Sequence, residues 1–177
     1  MSENNDTNAL KSAIRDVPDF PKKGIIFKDI TTLIDKGGLF KTAIERLTEK
    51  YRNAGISKVV AVESRGFIFG APVAYSLGSG FVPVRKKGKL PYKTISASYS
   101  LEYGTDTLEM HQDAIRPGDK VLIVDDLLAT GGTMGVVIEL VKRSGGSIAG
   151  IAFLIELSFL NGREKLKDHD VLSLITY

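Results

Sequence analysis

Val121-Leu122-Ile123-Val124-Asp125-Asp126-Leu127-Leu128-Ala129-Thr130-Gly131-Gly132-Thr133 decides how this chain is to be read. Its aliphatic opening lacks polar alternation, which is the pattern of a strand buried on both faces of a parallel sheet. Asp125 and Asp126 then stand at the carboxyl end, where open α/β sheets bind their ligands. Two adjacent carboxylates are costly to bury together, so they are expected to face solvent or the donors of a ligand. From Ala129 to Thr133 the chain opens a helix. Free backbone N–H groups, two glycines permitting close approach and two hydroxyls favour a phosphate there. Taken alone, Thr-Gly-Gly-Thr would serve equally as a capped helix start, with Thr130 as N-cap. The full order of aliphatic strand, acid pair, apolar step and glycine loop is far more specific. No Gly-Lys-Ser/Thr follows and no G-x-G-x-x-G is present, so triphosphate and dinucleotide loops are not indicated. A sugar phosphate suits the pattern, with phosphate on the loop and hydroxyls on the carboxylates.

Outward from this stretch the chain alternates short apolar runs with helical patterns. A helix is expected from about Asn8 to Arg15, a turn-rich break at Pro18–Gly24 and a second break at Lys36–Gly38. From Leu39, Phe40, Ile44 and Leu47 recur at helical spacing, with Gly55 placed as a C-cap. Val59–Glu63 reads as a buried strand, Gly66 to about Gly78 as a helix, and Phe81–Arg85 as a strand. Thr94–Met110 is hairpin-like and Arg116–Asp119 is a turn. A helix follows the glycine loop, then a long strand over Ser147–Leu157 and a last one over Val171–Ile175. Strands separated by helices indicate a mostly parallel sheet with helices on both faces, in one α/β domain spanning 1–177.

Composition narrows the field. The 177 residues suffice for one sizeable core. Hydrophobic residues at 43% and charged residues at 25% are ordinary for a soluble protein. Net charge is +3, there is no cysteine and there are two histidines, which excludes disulfides and thiolate metal sites and disfavours histidine-rich metal sites. No signal-peptide core and no apolar run of about 18 residues is present, so a cytoplasmic protein without membrane contact is expected. The cations are unevenly placed. Arg85, Lys86, Lys87, Lys89 and Lys93 fall within nine residues that contain no acid. Such a run is commonly solvated surface, but beside a sugar-phosphate motif it favours capture of a polyanion.

Val121–Thr133 closely resembles the phosphoribosyl-pyrophosphate (PRPP) motif of type I phosphoribosyltransferases. That resemblance implies that Asp125 and Asp126 contact the ribose hydroxyls, while Ala129, Thr130, Gly131, Gly132 and Thr133 hold the 5′-phosphate. Three further segments point within that family to the adenine phosphoribosyltransferases. Val62–Pro72 resembles their pyrophosphate loop, with Ser64 and Arg65 as contacts and the arginine able to form a charge-assisted fork. Arg85–Gly104 resembles their catalytic flap, about residues 86–110. There Lys86, Lys87 and Lys89 face pyrophosphate, Glu102 manages a proton at the purine and Tyr103 packs on substrate or a partner subunit. Phe20–Ile34 resembles their adenine-binding segment within an N-terminal hood of about residues 1–34. Phe27 would stack on the purine, and the backbone around Ile26 and Lys28 would read its edge. Arginine is frequent in the family where this chain has Lys28, so a backbone contact carries over and a guanidinium contact does not.

The resemblance runs from about Ile14 to Tyr177 and includes Leu160–Leu166. It implies a catalytic role for Arg65 and Glu102, and Mg²⁺ held mainly by substrate and water without direct side-chain ligation. It also implies a homodimer that makes AMP and diphosphate from adenine and PRPP in purine salvage, with no nucleic-acid partner. A phosphoribosyltransferase for another base is the alternative enzyme reading. A PRPP-sensing regulator is the non-enzymatic one; the roughly twenty residues before Pro18 are too few for an added DNA-binding domain.

Overall fold

In a computed structural model of the protein, the backbone is described for residues 3–100 and 105–177, and the side chains for 5–98 and 106–177. The chain divides into two compact units, Met1–Arg46 and Leu47–Tyr177. In the first, helix α1 (Glu3–Ala13) begins earlier than its apolar pattern suggests, because the polar residues before Asn8 join the helix. Strands β1 (Arg15–Pro18) and β2 (Ile26–Asp29) pair antiparallel across the Pro18–Gly24 turn, with Val17 opposite Phe27. The short helix α2 (Thr31–Ile34) follows. Leu10, Ala13, Ile14, Ile30 and Leu33 of this unit are buried.

Helix α3 (Gly37–Glu49) runs across the boundary of the units. It stops short of Gly55, and the chain continues in turns whose amides reach back three residues, such as Tyr51 to the Thr48 carbonyl. Gly55 then takes the left-handed conformation that ends them, at φ 67°.

The second unit is built on a seven-stranded sheet. Its strands are β3 (Lys58–Val62), β4 (Gly80–Lys86), β5 (Thr94–Ser100), β6 (Thr105–His111), β7 (Lys120–Leu128), β8 (Ser147–Glu156) and β9 (Val171–Thr176). Their spatial order is β5-β6-β4-β3-β7-β8-β9. Strands β4, β3, β7, β8 and β9 are mutually parallel, and β6 and β5 continue the sheet antiparallel. The β5–β6 ladder is the expected hairpin, pairing Thr94 with His111 through Ser100 with Thr105.

Helix α4 (Arg65–Leu77) connects β3 to β4, and helix α5 (Gly132–Arg143) connects β7 to β8. The two crossovers leave the middle of the sheet in opposite directions, so their shared right-handedness puts the helices on opposite faces. Side-chain alternation agrees with this. Gly70 of α4 meets Ala61 and Phe81, whereas α5 shares its apolar core with Val60, Val62, Val121, Ile123, Ile151 and Phe153. The point of divergence lies between β3 and β7, and a crevice at their carboxyl ends is where such a sheet receives a ligand. No helix among the described residues is long and apolar enough to cross a membrane.

Candidate active site

Both acidic strand ends meet at that divergence. Strand β7 does not stop at Asp125. It passes through both aspartates to Leu128, and Leu127 and Leu128 stay in register with Ile155 and Glu156 of β8. The aspartates are consequently buried, with 9% of Asp125 and 6% of Asp126 exposed, so of the two expected surroundings, solvent or the donors of a ligand, the first is ruled out. The reason is a neighbour distant in sequence. Arg65 at the start of α4 brings its Nη2 within 2.9 Å of Asp126 Oδ2. That contact lacks hydrogen-bond alignment, and Oδ2 is left without a hydrogen-bond partner. Asp125 Oδ1 accepts the Asp126 amide at 2.9 Å. Gly66 makes room for this carboxylate, since a Cβ there would stand 2.6 Å from Asp125 Oδ1.

One arginine does not neutralise two buried acids. Burial first, and the Asp126 charge second, push the Asp125 carboxyl well above the usual carboxylate range. Burial also raises Asp126, against the opposing pull of Arg65. The pair is therefore short of donors.

Immediately beyond, Ala129–Gly131 turns into α5. The residue capping the helix is Gly131 at φ 76°, with no side-chain capping bond, so Thr130 does not serve as the N-cap. Glycine is required at this turn both by its left-handed backbone and by a close neighbour: a Cβ would lie 2.7 Å from the Gly162 carbonyl oxygen. Thr130 is exposed and Gly132 and Thr133 are half-buried, so a rim of hydroxyl and backbone groups follows the buried acids.

On the β3 side, Ser64 is exposed, Arg65 is about a third exposed at 34%, and the Glu63–Ser64 peptide is cis. Glu63 has a role the sequence reading missed. Its Oε2 accepts from Arg85 Nε at 3.0 Å and Nη2 at 2.8 Å, and its Oε1 accepts the Lys86 amide at 2.6 Å. Burial acts to raise the Glu63 carboxyl, but these donors hold it below its ordinary value. Glu63 thereby fixes the start of the basic segment. Lys86 also pairs with Asp106 at 3.3 Å, and Glu109 accepts the Gly88 amide at 3.0 Å. Arg85 is thus committed to Glu63, while Lys86, Lys87 and Lys89 are exposed. An acid beside Ser64-Arg65, with a cation after the neighbouring strand, was the available signal. Glu102 and Tyr103 lie outside the described residues.

In the first unit, Ile26, Phe27 and Lys28 are successive residues of β2. Phe27 meets Phe20 edge to face with ring centroids 5.2 Å apart, and Lys28 Nζ is 2.7 Å from Asp16 Oδ1.

Comparison with known proteins gives this arrangement its family. The family described as phosphoribosyl transferase domain matches residues 31–176. The adenine phosphoribosyltransferase of Kosmotoga olearia is 60% identical over 168 residues, covering 95% of this chain and 99% of that protein. The chain belongs to the adenine phosphoribosyltransferase family. Members are pentosyltransferases, and the fold described above is the one they share. The family member from Rhodothermus marinus superposes with a TM-score of 0.94 at 55% identity, covering 98% of this chain and 99% of that one. The family member from Saccharomyces cerevisiae, solved with an imino-altritol bisphosphate and adenine, gives a TM-score of 0.91 at 41% identity, covering 97% and 99%.

Proposed function

We propose that this protein transfers the 5-phosphoribosyl group of PRPP to N9 of adenine, forming AMP and diphosphate. The observation that carries the reading is the pair of donor-poor, buried aspartates beside an uncapped glycine turn, in a chain of this family. One ligand relieves both conditions: ribose hydroxyls donate to Asp125 and Asp126, and the 5′-phosphate accepts from the Ala129–Thr133 backbone and hydroxyls.

In the reaction the C1–oxygen bond to pyrophosphate is well broken before N9 attacks C1 from the opposite face, and the purine loses one proton. Positive charge gathers on the ribose and negative charge on the leaving group, so the protein's part is positioning and fixed electrostatics. Arg65 is placed by the reading at the pyrophosphate, with Ser64, Lys86, Lys87 and Lys89 as further donors. Its contact with Asp126 makes it a bridge between the ribose and pyrophosphate subsites. Phe27 stacks on adenine, with backbone contacts at Ile26 and Lys28. Glu102 takes up or delivers the purine proton, and Tyr103 belongs to the same flap, residues 86–110. Residues 1–34 form the base-binding hood.

Hard carboxylate oxygens at Asp125 and Asp126, one without a hydrogen-bond partner, fit Mg²⁺ bound through water and substrate. Among the described residues there is no cluster of three or more histidine, cysteine, aspartate or glutamate side chains suited to hold it directly. The ion would supply charge neutralisation on the pyrophosphate. The same reading takes the protein as a homodimer acting in purine salvage in the cytoplasm; Tyr75 on α4, 89% exposed, is an apolar side chain open to a second copy.

The test is a panel of adenine, hypoxanthine, guanine, xanthine and orotate with PRPP, with and without Mg²⁺. Nucleotide is expected with adenine and Mg²⁺. Turnover of another base with none of adenine would overturn the reading.

A further inference from the structure

The glycine turn at the end of β7 rests on a second glycine that no reading of the motif includes. A Cβ on Gly162 would stand 2.1 Å from the Ala129 carbonyl oxygen and 3.0 Å from the Gly131 amide nitrogen. The reciprocal clearance at Gly131 is equally closed, as described above. Two backbone segments therefore meet with no room for a side chain between them.

Gly162 is itself held in place. It starts the 3-10 turn Gly162–Leu166 and follows Asn161, whose φ is 53°. The adjacent Arg163 is fastened to the sheet at several points. Its Nε donates to Glu156 Oε1 at 2.9 Å, and its Nη2 makes a close contact with Glu156 Oε2. It also donates to the Val171 carbonyl at 3.1 Å and to Ser173 Oγ at 3.1 Å. Glu156 is only 5% exposed, ends β8, and lies opposite Leu128, from which the glycine turn departs. The Leu157 amide closes the same corner by donating to the Leu128 carbonyl at 2.9 Å. Hydrogen bonding by Arg163 first, then by Ser173, and last the arginine's charge hold the Glu156 carboxyl below its ordinary value against its burial.

We infer that Gly162 and Arg163 are positioning residues for the donor site: a brace that sets the Ala129–Gly131 backbone to receive the 5′-phosphate of PRPP. Neither residue is placed in contact with substrate. Arg163 fixes the turn to β8 and β9, the turn presents the bare backbone of Gly162, and that backbone fixes the height and tilt of the Gly131 amide. The inference rests on the phosphate assignment of the loop made under the proposed function.

The experiment uses the full chain and three ligands: ribose 5-phosphate, PRPP and adenine. Gly162→Ala must displace the loop, and ribose 5-phosphate affinity is expected to fall by roughly 30-fold or more, with KM for PRPP rising and KM for adenine little changed. Arg163→Lys keeps a cation beside Glu156 but loses the planar fork. A donor-specific loss of about 3- to 10-fold is expected there. If Gly162→Ala does not fold, Arg163→Lys decides alone. Wild-type affinity for ribose 5-phosphate in the folded variants, or equal losses toward donor and adenine, overturns the brace. A wild-type protein that binds PRPP but shows no competition by ribose 5-phosphate overturns the loop assignment instead.

Discussion

Glu63 and the Asp125–Asp126 pair sit at the carboxyl ends of adjacent strands and live under opposite conditions. Glu63 collects an arginine and a backbone amide, and its carboxyl is held low despite burial. Glu156, at the end of β8, is likewise saturated by Arg163. Asp125 and Asp126 are more deeply buried than Glu63 yet share one misaligned arginine contact, and both carboxyls are pushed up. Carboxylates that hold strands and loops together are supplied with donors by the fold. Carboxylates left short of donors cost stability, and the missing donors are what a polyhydroxyl ligand brings.

The most damaging way to separate these regions is to deform the loop without touching either acid. Gly131→Val puts a β-branched residue at φ 76°, against the Gly162 carbonyl. PRPP affinity is expected to fall by ~100-fold or more, combining backbone strain with the displaced amides. Titration with PRPP checks this, and unchanged affinity refutes the loop's phosphate role.

A smaller effect, opposite in sign at the two sites, concerns stability. The folded carboxyl of Asp125 lies above its unfolded value of about 3.9, so the native state holds the proton more tightly. Its stability contribution is complete below that unfolded value and is lost as pH rises through the raised folded value. At pH 7 Asp125→Asn, which imitates the protonated form, is therefore expected to raise the melting temperature. Glu63 is lowered in the fold, so its contribution is present above an unfolded value of about 4.3 and is lost as pH falls through the folded value. Glu63→Gln is expected to lower the melting temperature at pH 7. In a chain of this size each kcal/mol moves the midpoint by roughly 2–4 °C, within reach of calorimetry. Shifts of the same sign in both variants would erase the distinction between the two kinds of acid.

Much of this was legible in the residues. The β7 run, the acid pair and the glycine loop announce themselves because each is local: apolar continuity, charge adjacency and missing side chains are written consecutively. The depth of the acids was not legible. Whether Asp126 is buried depends on Arg65, which arrives from the neighbouring strand, so the strand was expected to end at the charges and instead runs on to Leu128. The β1–β2 ladder was faint in the residues, since Arg15-Asp16-Val17-Pro18 is short, charged and proline-ended, and only Ile26 and Phe27 of Ile26–Asp29 are apolar. Gly162 was hidden for the same reason as Arg65. A glycine's reason for being glycine lies in what approaches it, and here that is the Ala129 carbonyl from a distant part of the chain.

The claim that one donor spans acids and loop is tested most directly by comparing ribose 5-phosphate with 2-deoxyribose 5-phosphate on the wild-type protein and on Asp125→Asn. A hydrogen bond from a sugar hydroxyl to a buried group otherwise short of partners is worth about 1–3 kcal/mol, so wild type should prefer the ribose compound by roughly 5- to 100-fold. Asp125→Asn should reduce that preference while still binding both phosphates through the loop. Equal wild-type affinity for the two sugars would contradict the account.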